Sequence, residues 1–495
     1  MFVSGADLNF LPAWKMAELV RARHVSPVEL VRAHLDRIEK VNPKINAYVQ
    51  LDSERALASA RTMETALMRG DQLGPLHGVP ISIKSSIDVA GMRCEAGTKL
   101  RVGHIAIRDA PLVSRLKNAG AIVLGTTNTP ELLMAWETDN LLYGRTNNPW
   151  DLSRTAGGSS GGEAAAIASG CSAGGVGSDG GGSIRVPAHF CGICGLKPTP
   201  GRIPATGHFP QSAGPFALTG VVGPMARTIA DVKLLFEVMQ GPDIGDPSFA
   251  PVPVRWSKTS DDGAATGVHA RGDLGADARP YTSKPRIAYF EDDGRTPVTP
   301  ETRRTVQLAA KALRDAGFEV EPFRPEGLEK ARQLWWKIFG TAGSMLLGPM
   351  VQGYESKLSP ILKQFMGWTA NEPTHTAQTL LDTWLQRDLV RMQLFEQMEQ
   401  FQILLCPVAS IPAFHHGERE WQIEGKQVKY LDAWSYCEWF NLLGMPAATV
   451  PVSQSNDGLP IGVQVTAKPW EEELVLEVAE IIEQGCGLRS RSPEL

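Results

Sequence analysis

The chain has 495 residues, of which 43% are hydrophobic and 21% are charged. These proportions are close to those of average globular proteins and argue against disordered, collagen-like and coiled-coil classes. The formal net charge of -5 gives no electrostatic basis for binding nucleic acid or an anionic membrane. We therefore expect a small-molecule substrate as the partner, without nucleic acid or membrane, and a monomer or homodimer.

From Pro12 to about Met68, apolar residues recur mostly at three- and four-residue steps, which predicts helices. Ser26 followed by Pro27 is typical of a helix N-cap and first turn. Short apolar runs then alternate with helical patterns. The predicted elements are a strand over 79–83, a helix over 111–118 and a strand over 121–124 that ends at Gly125. This alternation favours an α/β layered fold.

The stretch from Trp256 to Ser283 is rich in Gly, Ala and Asp and has few large apolar residues. We interpret it as a surface loop or insertion, with an interdomain linker as the alternative. The elements predicted beyond it are a strand over 286–290, a helix that begins at Thr299-Pro300-Glu301 and ends at Gly317, a mostly helical, aromatic-rich segment over 326–400, strands over 448–452 and 461–466, and a helix over 471–483.

Seven cysteines are scattered along the chain, and their odd number does not make a disulfide framework. A reducing cytoplasm fits this usage best. Cys191 and Cys194 form a lone C-x-x-C without a second Cys or His pair at zinc-ligand spacing, so we interpret them as buried structural thiols. The sequence also shows neither a long apolar run nor the pattern of a secretion signal, and we expect no membrane span and no signal peptide.

Two serine-bearing glycine loops are the densest signal of a functional site. They are Gly157-Gly158-Ser159-Ser160-Gly161-Gly162 and, after an Ala-rich helical run, Asp179-Gly180-Gly181-Gly182-Ser183-Ile184-Arg185. Glycines let backbone N–H groups converge on one point, as an oxyanion hole requires. Two flexible linkers are the alternative, but linkers seldom flank so compact and apolar a helix. We therefore predict a site built largely from the backbone.

A serine nucleophile needs a base, and Lys84 is the candidate. It follows the apolar run 79–83 and is therefore expected at the carboxyl end of a buried strand, where α/β sheets commonly place function. Such a lysine is either a solvated charge or a desolvated amine whose pKa has fallen enough for it to act as a neutral base. Position alone leaves both interpretations open.

Three motifs together resemble the amidase signature family. They are Gly78 to Lys84, Gly157 to Gly162, and Asp179 to Arg185 with its continuation to Thr199, in the family's order and with the two serines at the family's spacing. The similarity is strongest from about Pro75 to Pro204, and weaker features run nearly the whole length. One departure is that Lys84 is followed by Ser85 and Ser86, where many relatives have an acidic residue.

The resemblance implies a Ser-cisSer-Lys triad. Ser183 is the expected nucleophile, Ser159 the bridging serine after a cis Gly158–Ser159 peptide bond, and Lys84 the base. The expected oxyanion hole consists of the N–H groups of Gly180, Gly181, Gly182 and Ser183. Asp179 and Arg185 are predicted to pair and stiffen this loop. No cofactor and no metal are implied.

The resemblance also implies an α/β fold, with one large single domain whose mixed twisted β-sheet is covered on both faces by α-helices. The expected segments are the N-terminal helices over 1–70, the signature core over 75–204, the loop insertion over 256–283, a helical substrate-cleft segment over 326–400 and a return to the sheet over 401–495.

The reaction that the resemblance implies is amide hydrolysis through an acyl-enzyme. Some relatives cleave esters and carbamates, so urethanase activity is a sub-hypothesis. The aromatic residues of 326–400, including Trp335, Trp336 and Phe339, predict a broad apolar cleft for bulky or aryl substrates, with core packing as the alternative. Arg202 could meet a substrate group, but the favoured interpretation is a structural cap.

Two other functions compete with this interpretation. Gly157 to Gly161 also fits the G-x-S-x-G elbow of an α/β-hydrolase esterase, with His415 or His416 as a later base, but residues 147–155 lack the strand that an elbow needs. A glutaminase subunit of a tRNA-dependent amidotransferase shares the family signature and passes ammonia to another active site. The aromatic segment and the insertion favour a self-sufficient hydrolase instead.

Overall fold

The computed structural model describes residues 8–256, 284–486 and 492–495. The first elements are α1 (Ala13–Arg21), α2 (Pro27–Ile45), strand β1 (Tyr48–Leu51) and α3 (Ser53–Arg69), so the predicted N-terminal helices are confirmed. Ser26 caps α2: its Oγ accepts the N–H of Val28, and its own N–H donates to the Glu29 carboxylate. The strand β1 between α2 and α3 is absent from the sequence prediction.

The next part alternates strands and helices as predicted. Its elements are β2 (Pro80–Lys84), α4 (Pro111–Asn118), β3 (Ile122–Thr127), α5 (Gly161–Ala168), β4 (Gly174–Asp179), α6 (Arg185–Cys191), β5 (Cys194–Lys197), α7 (Pro215–Thr219), β6 (Val221–Ala226) and α8 (Ile229–Met239). The prediction that β3 ends at Gly125 is wrong. Gly125 pairs with Leu51 of β1, and a side chain there would collide with the Gln50 carbonyl, so glycine admits the neighbouring strand.

The second half also begins with an α/β unit, as predicted. Its elements are β7 (Ile287–Tyr289), α9 (Pro300–Asp315), β8 (Val320–Pro322), α10 (Leu328–Trp335), a π-helical turn (Trp336–Ala342), α11 (Gly343–Val351), α12 (Pro360–Ala370), α13 (Ala377–Gln397), β9 (Ile403–Pro407), the hairpin β10 (Glu420–Ile423) and β11 (Lys426–Lys429), α14 (Ser435–Leu443), β12 (Ala447–Gln454), β13 (Pro460–Thr466) and α15 (Glu472–Gly485). Residues 257–283, which make up most of the predicted insertion, lie outside the described residues.

One mixed sheet of 11 strands organises the whole chain, in the order β1-β3-β2-β4-β6-β5-β12-β13-β9-β7-β8. The strands β3, β2 and β4 are parallel to one another, as are β9, β7 and β8. The strands between these two groups pair antiparallel. The predicted mixed sheet is therefore confirmed.

Helices cover both faces of this sheet. Along β9, Ile403 and Leu405 belong to one apolar cluster, whereas Leu404 and Cys406 belong to another, because successive side chains of a strand point to opposite faces. The first cluster includes α8 and α15, and the second includes α10 and α14. Strand β2 is buried along its whole length, so a side chain at its end is shielded from water.

All seven cysteines lie within the described residues, where they are buried and form no disulfide, and Cys191 and Cys194 are among them. Within the described ranges, none of the helices is both long and apolar enough to span a membrane.

Candidate active site

Lys84 is the last residue of β2, and its side chain is fully buried. Its Nζ lies 2.6 Å from Ser159 Oγ, 2.9 Å from Ser160 Oγ and 3.0 Å from Ser178 Oγ. Ser159 and Ser160 precede α5, and Ser178 lies in β4, the parallel neighbour of β2. The Gly158–Ser159 peptide bond is cis. The fold thus brings Lys84 and Ser159, which are 75 positions apart, into hydrogen-bond contact.

The three hydroxyls match the hydrogen-bonding capacity of a neutral amine. Ser160 Oγ donates to the Ser178 carbonyl at 3.2 Å, so it has to accept from Lys84. A neutral amine has two N–H donors and one lone pair, which leaves Ser159 or Ser178 to donate to it. The shortest of the three distances is that to Ser159. The arrangement can therefore carry a proton between Ser159 and the lysine.

Burial lowers the pKa of Lys84 to about 7, while the carboxylates of Asp179 and Glu163 oppose this shift. Glu163, in the first turn of α5, accepts hydrogen bonds from Ser82 Oγ at 2.5 Å and Thr127 Oγ1 at 2.7 Å. Burial raises its own pKa to about 7, although these hydroxyls oppose the rise. Many relatives have an acidic residue directly after the lysine, whereas this chain has Ser85 there. The carboxyl groups near Lys84 come instead from Asp179 at the end of β4 and Glu163 in α5.

Ser183 lies in the loop between β4 and α6 and faces the same cleft as Ser159 and Ser178. Asp179 organises this loop, because its carboxylate accepts the N–H groups of Gly182 at 2.7 Å and Ile184 at 3.0 Å. The guanidinium of Arg185 contacts the same carboxylate through Nε at 3.1 Å and through a terminal nitrogen at 3.0 Å, and both side chains are fully buried. The predicted pair is confirmed.

Burial alone would raise the pKa of Asp179, but the guanidinium of Arg185 holds it well below its usual value. The carboxylate therefore stays charged. Arg185 also donates to Gln464 of β13 at 2.9 Å and to Asn441 of α14 at 2.5 Å. Residues of the C-terminal part thus fix the loop that carries Ser183.

The expected set of oxyanion donors needs one correction. The N–H of Gly182 is already donated to Asp179 and is not available to a substrate oxygen. Within the described residues, the N–H groups of Gly180, Gly181 and Ser183 have no protein acceptor. These three remain candidates for binding an oxyanion.

The cleft above Ser183 has about 500 Å³ of empty space, part of it open to solvent. The walls of the cleft are mainly apolar, and the polar or charged side chains in its lining are those of Ser159, Ser178, Asp179, Ser183, His208 and Ser212. The large apolar residues of the walls are Leu132, Leu133, Met134, Pro210, Phe216, Val221, Val222 and Phe339. The lining therefore suits an apolar substrate group.

The expectation that residues 326–400 line the cleft is largely corrected. Phe339 is the one lining residue from this segment within the described chain, and the walls come mainly from 132–134 and 205–222. Trp335 is fully buried behind the loop of Ser183, and Trp336 packs on Phe365 at a centroid distance of 5.9 Å. Helical geometry puts only some of the aromatic side chains on the face that meets the cleft.

Arg202 does not reach the cleft, which corrects the expectation of a substrate contact. It is buried against α15, where it forms ion pairs with Glu472, at 3.7 Å, and Glu473. Removing one member of such a buried pair would leave an uncompensated charge in the interior, so the role of Arg202 is structural.

The sequence analysis did not identify Ser160, Ser178, Glu163 and His208 as members of the site. Ser160 lies within the first glycine loop and Glu163 directly follows it, so their positions in the sequence could have indicated that both belong to the site. His208 Nδ1 donates to the Pro210 carbonyl at 2.9 Å, and burial lowers the pKa of its ring to about 4. Only the fold brings His208 and Ser178 to the cleft.

Neither histidine of the esterase alternative is among the residues that line the cleft. His415 Nδ1 lies 3.2 Å from Ser153 Oγ on an exposed loop. Ser159 follows a loop rather than a strand. The geometry therefore does not favour a nucleophile elbow.

Comparison with known proteins points to one family. The model of the family described as Amidase matches residues 29–476. The chain is 34% identical to an indoleacetamide hydrolase of Bradyrhizobium diazoefficiens, over 96% of this chain and 88% of the relative. It is 33% identical to an acylamidase of Rhodococcus erythropolis, over 96% of this chain and 95% of the relative.

Two further similarities cover almost the full length. A glutamyl-tRNA(Gln) amidotransferase component from Bdellovibrio bacteriovorus is 30% identical over 99% of this chain and 100% of the relative. A solved structure of a vestigial protein complex that bears on the evolutionary origins of an s-triazine catabolic enzyme superimposes with a TM-score of 0.85. It is 30% identical and covers 98% of this chain and 100% of its own. This coverage shows a common fold.

The burial of Lys84 predicts a stability that depends on pH. The pKa of Lys84 is about 7 in the folded chain, against an ordinary value of 10.5. Between pH 7 and pH 10.5, Lys84 is therefore protonated in the unfolded chain and neutral in the folded chain. The contribution of Lys84 to the free energy of unfolding therefore rises with pH in this window, by at most about 1.4 kcal/mol per pH unit. Lys84→Met should remove this rise and be more stable than wild type near pH 7.

Urea unfolding between about pH 7 and pH 10 measures the effect, with Lys99→Met at an exposed position as the control. Parallel stability curves for wild type and Lys84→Met would contradict the prediction.

Proposed function

Because this chain is an amidase of the amidase signature family, we propose that it hydrolyses bulky or aryl carboxylic amides through a Ser-cisSer-Lys triad and an acyl-enzyme. Ser183 is the nucleophile, Ser159 the relay and Lys84 the base. The observation that carries the proposal is the buried Lys84 amine 2.6 Å from Ser159 Oγ, in a cleft that Ser183 also lines.

Acylation uses two linked proton transfers and replaces the C–N bond of the amide by a C–O bond to Ser183. Ser183 Oγ attacks the acyl carbon while its proton passes to Ser159 and the proton of Ser159 passes to the neutral Lys84. The oxyanion that forms is bound by N–H groups of Gly180, Gly181 and Ser183. The proton returns by the same route to the leaving nitrogen, the C–N bond breaks, and the amine departs.

Deacylation repeats these steps with water as the nucleophile. Water gives a proton to the relay, adds to the acyl carbon of the Ser183 ester, and the serine leaves with the proton that Lys84 returns. A pKa of about 7 suits this work, since a base is most effective when its pKa lies near the operating pH.

The apolar walls of the cleft support a bulky or aryl substrate. Phe216 and Phe339 meet edge to face at a centroid distance of 5.4 Å and offer a ring surface to an aryl group. The similarity to an indoleacetamide hydrolase and an acylamidase supports the same class. A carbamate or ester of matching shape presents the same acyl carbon to Ser183, so both belong to the proposed range.

A glutaminase subunit of an amidotransferase is the second candidate, and the similarity to the glutamyl-tRNA(Gln) amidotransferase component favours it. Free glutamine carries an ammonium and a carboxylate, which a site has to pair or solvate. Among the described lining residues Asp179 is the one charged side chain, and it is already paired with Arg185. This lining favours the free-standing amidase.

Labelling identifies the nucleophile. A fluorophosphonate or sulfonyl fluoride should modify Ser183, because it alone combines a position in the cleft with a neighbouring oxyanion loop. Ser183→Ala should fold normally, take up no label and lose at least about 10³ in kcat. Peptide mapping by mass spectrometry reads the site, and a stable adduct on Ser159 or Ser160 with Ser183 unlabelled would refute the assignment.

The role of Lys84 predicts the pH profile of amide hydrolysis. Protonated Lys84 cannot accept a proton, so kcat/KM should rise with pH through an apparent pKa of about 7. Lys84→Ala should lose this limb, and Lys84→Arg should not restore it because a guanidinium stays protonated. Persistence of the wild-type limb in Lys84→Ala would move the base to another group.

The cleft predicts the order of substrates. Burying an aryl ring against Phe216 and Phe339 contributes about 1.5–3 kcal/mol, so an aryl amide should exceed acetamide and glutamine in kcat/KM by roughly 10- to 100-fold. Phe339→Ala should reduce this preference more than it reduces turnover of a small ester. A panel of amides, carbamates and esters assayed on the isolated chain decides the matter: glutamine as the best substrate would favour the glutaminase alternative.

A further inference from the structure

Two indole N–H groups hold the loop between β4 and α6. Trp335 Nε1 donates to the Gly180 carbonyl at 2.8 Å, and Trp136 Nε1 donates to the Gly181 carbonyl at 2.8 Å. Both tryptophans are buried, and their ring centroids lie 6.2 Å apart. The directions of these two carbonyls are therefore fixed by side chains that come from outside the loop.

Each fixed carbonyl also fixes an N–H, because the C=O and N–H of one trans peptide point in opposite directions. The peptide between Gly180 and Gly181 is trans. Trp335 therefore turns the N–H of Gly181 away from its own ring. Gly180 and Ser183 line the cleft, whereas Gly181 does not and Trp335 is fully buried. The N–H of Gly181 thus points away from the buried Trp335 ring and belongs to the loop that carries the cleft residue Ser183.

The second indole has a different consequence. Trp136 holds the Gly181 carbonyl and so directs the N–H of Gly182, which donates to Asp179 Oδ1 at 2.7 Å. In the described part of the chain the N–H of Gly181 has no such acceptor. Of the two indoles, Trp335 is thus the one that governs an available donor.

Trp335 also presses directly on the loop. Its ring stacks on Phe339 with centroids 4.9 Å apart and an angle of 12° between the planes. A Cβ at Gly181 would collide with Trp335 Cζ2, and one at Gly180 would lie 2.5 Å from Phe339 Cε2. The stacked pair leaves no room for a side chain and blocks movement of the loop toward α10.

We propose that Trp335 is a positioning residue for the oxyanion hole. By holding the Gly180 carbonyl, its indole N–H keeps the N–H of Gly181 aimed at the oxyanion that forms when Ser183 attacks. This inference rests on the proposed function, since it requires that attack. The oxyanion exists in the tetrahedral state and not in the bound substrate, so Trp335 acts on kcat and not on ground-state binding.

The test removes the N–H of Trp335 and keeps the ring. The full chain is prepared with 3-benzothienylalanine at position 335, where sulfur replaces the indole N–H. The measurements are kcat and KM for an aryl amide, and the inhibition constants of an aryl trifluoromethyl ketone and its carbinol. The ketone accepts Ser183 Oγ and becomes an oxyanion adduct, whereas the carbinol cannot form one.

The expected result for the benzothienyl variant is a fall in kcat of about tenfold or more, with an equal weakening of the ketone. KM and the inhibition constant of the carbinol should not change, and binding of the carbinol shows that the variant is folded. Equal weakening of ketone and carbinol would overturn the proposal, because Trp335 would then support the cleft wall alone. No change in kcat or in ketone binding would overturn it as well.

A matched control is Trp336→Phe, which changes the neighbouring indole that packs on Phe365. Its ratio of ketone to carbinol affinity should equal that of wild type. The wild-type enzyme separates the two proposals. If the ketone forms no adduct on Ser183 of wild type, the proposed function fails. If wild type forms the adduct and the benzothienyl variant binds the ketone equally well, only the role of Trp335 fails.

Discussion

The active site depends on a primary amine that the sheet removes from water. Lys84 ends β2, which lies between β3 and β4, so its side chain is fully buried. Burial disfavours the ammonium form, and three hydroxyls replace the water that a neutral amine would lose. The same burial that costs stability thus lowers the pKa of this amine to about 7, so that a large fraction of it is neutral near that pH. The glycine loops serve this arrangement, because they let the serine hydroxyls approach the amine.

A second buried group, the ion pair of Asp179 and Arg185, fixes the part of the site that carries Ser183. Removing one member of a buried pair costs about 3–5 kcal/mol, so the loop between β4 and α6 has little freedom to rearrange. Arg185 reaches Gln464 and Asn441, which lie more than 250 positions further along the chain. The C-terminal part of the sheet is therefore a structural component of the active site and not a separate module.

The end of α10 and the π-helical turn after it connect the cleft wall to the loop of Ser183. Phe339 forms part of the cleft wall, and Trp335, one helical turn earlier, touches the glycines beside Ser183. Because the two rings stack, a bulky group that displaces Phe339 would press on the loop of Ser183 through Trp335. We expect the size of the substrate to affect the rate as well as the affinity in this enzyme.

The sequence by itself determined the elements with strong local signals and the residues within motifs. Ser26 and Pro27 predicted the start of α2, and the glycine loops with Lys84, through their resemblance to the amidase signature family, implied the triad that we propose. Tertiary structure alone made β4 a strand, because Gly174-Gly175-Val176-Gly177 has little β-propensity and pairs with β2 and β6 through its backbone. Tertiary structure also decided that Arg202 forms an internal ion pair and that the N–H of Gly182 donates to Asp179. It placed the indole of Trp335 against the loop of Ser183. These contacts join residues that are far apart in the sequence and that the sheet brings together. Local sequence patterns do not specify which distant residues become neighbours, so only the tertiary structure could show them.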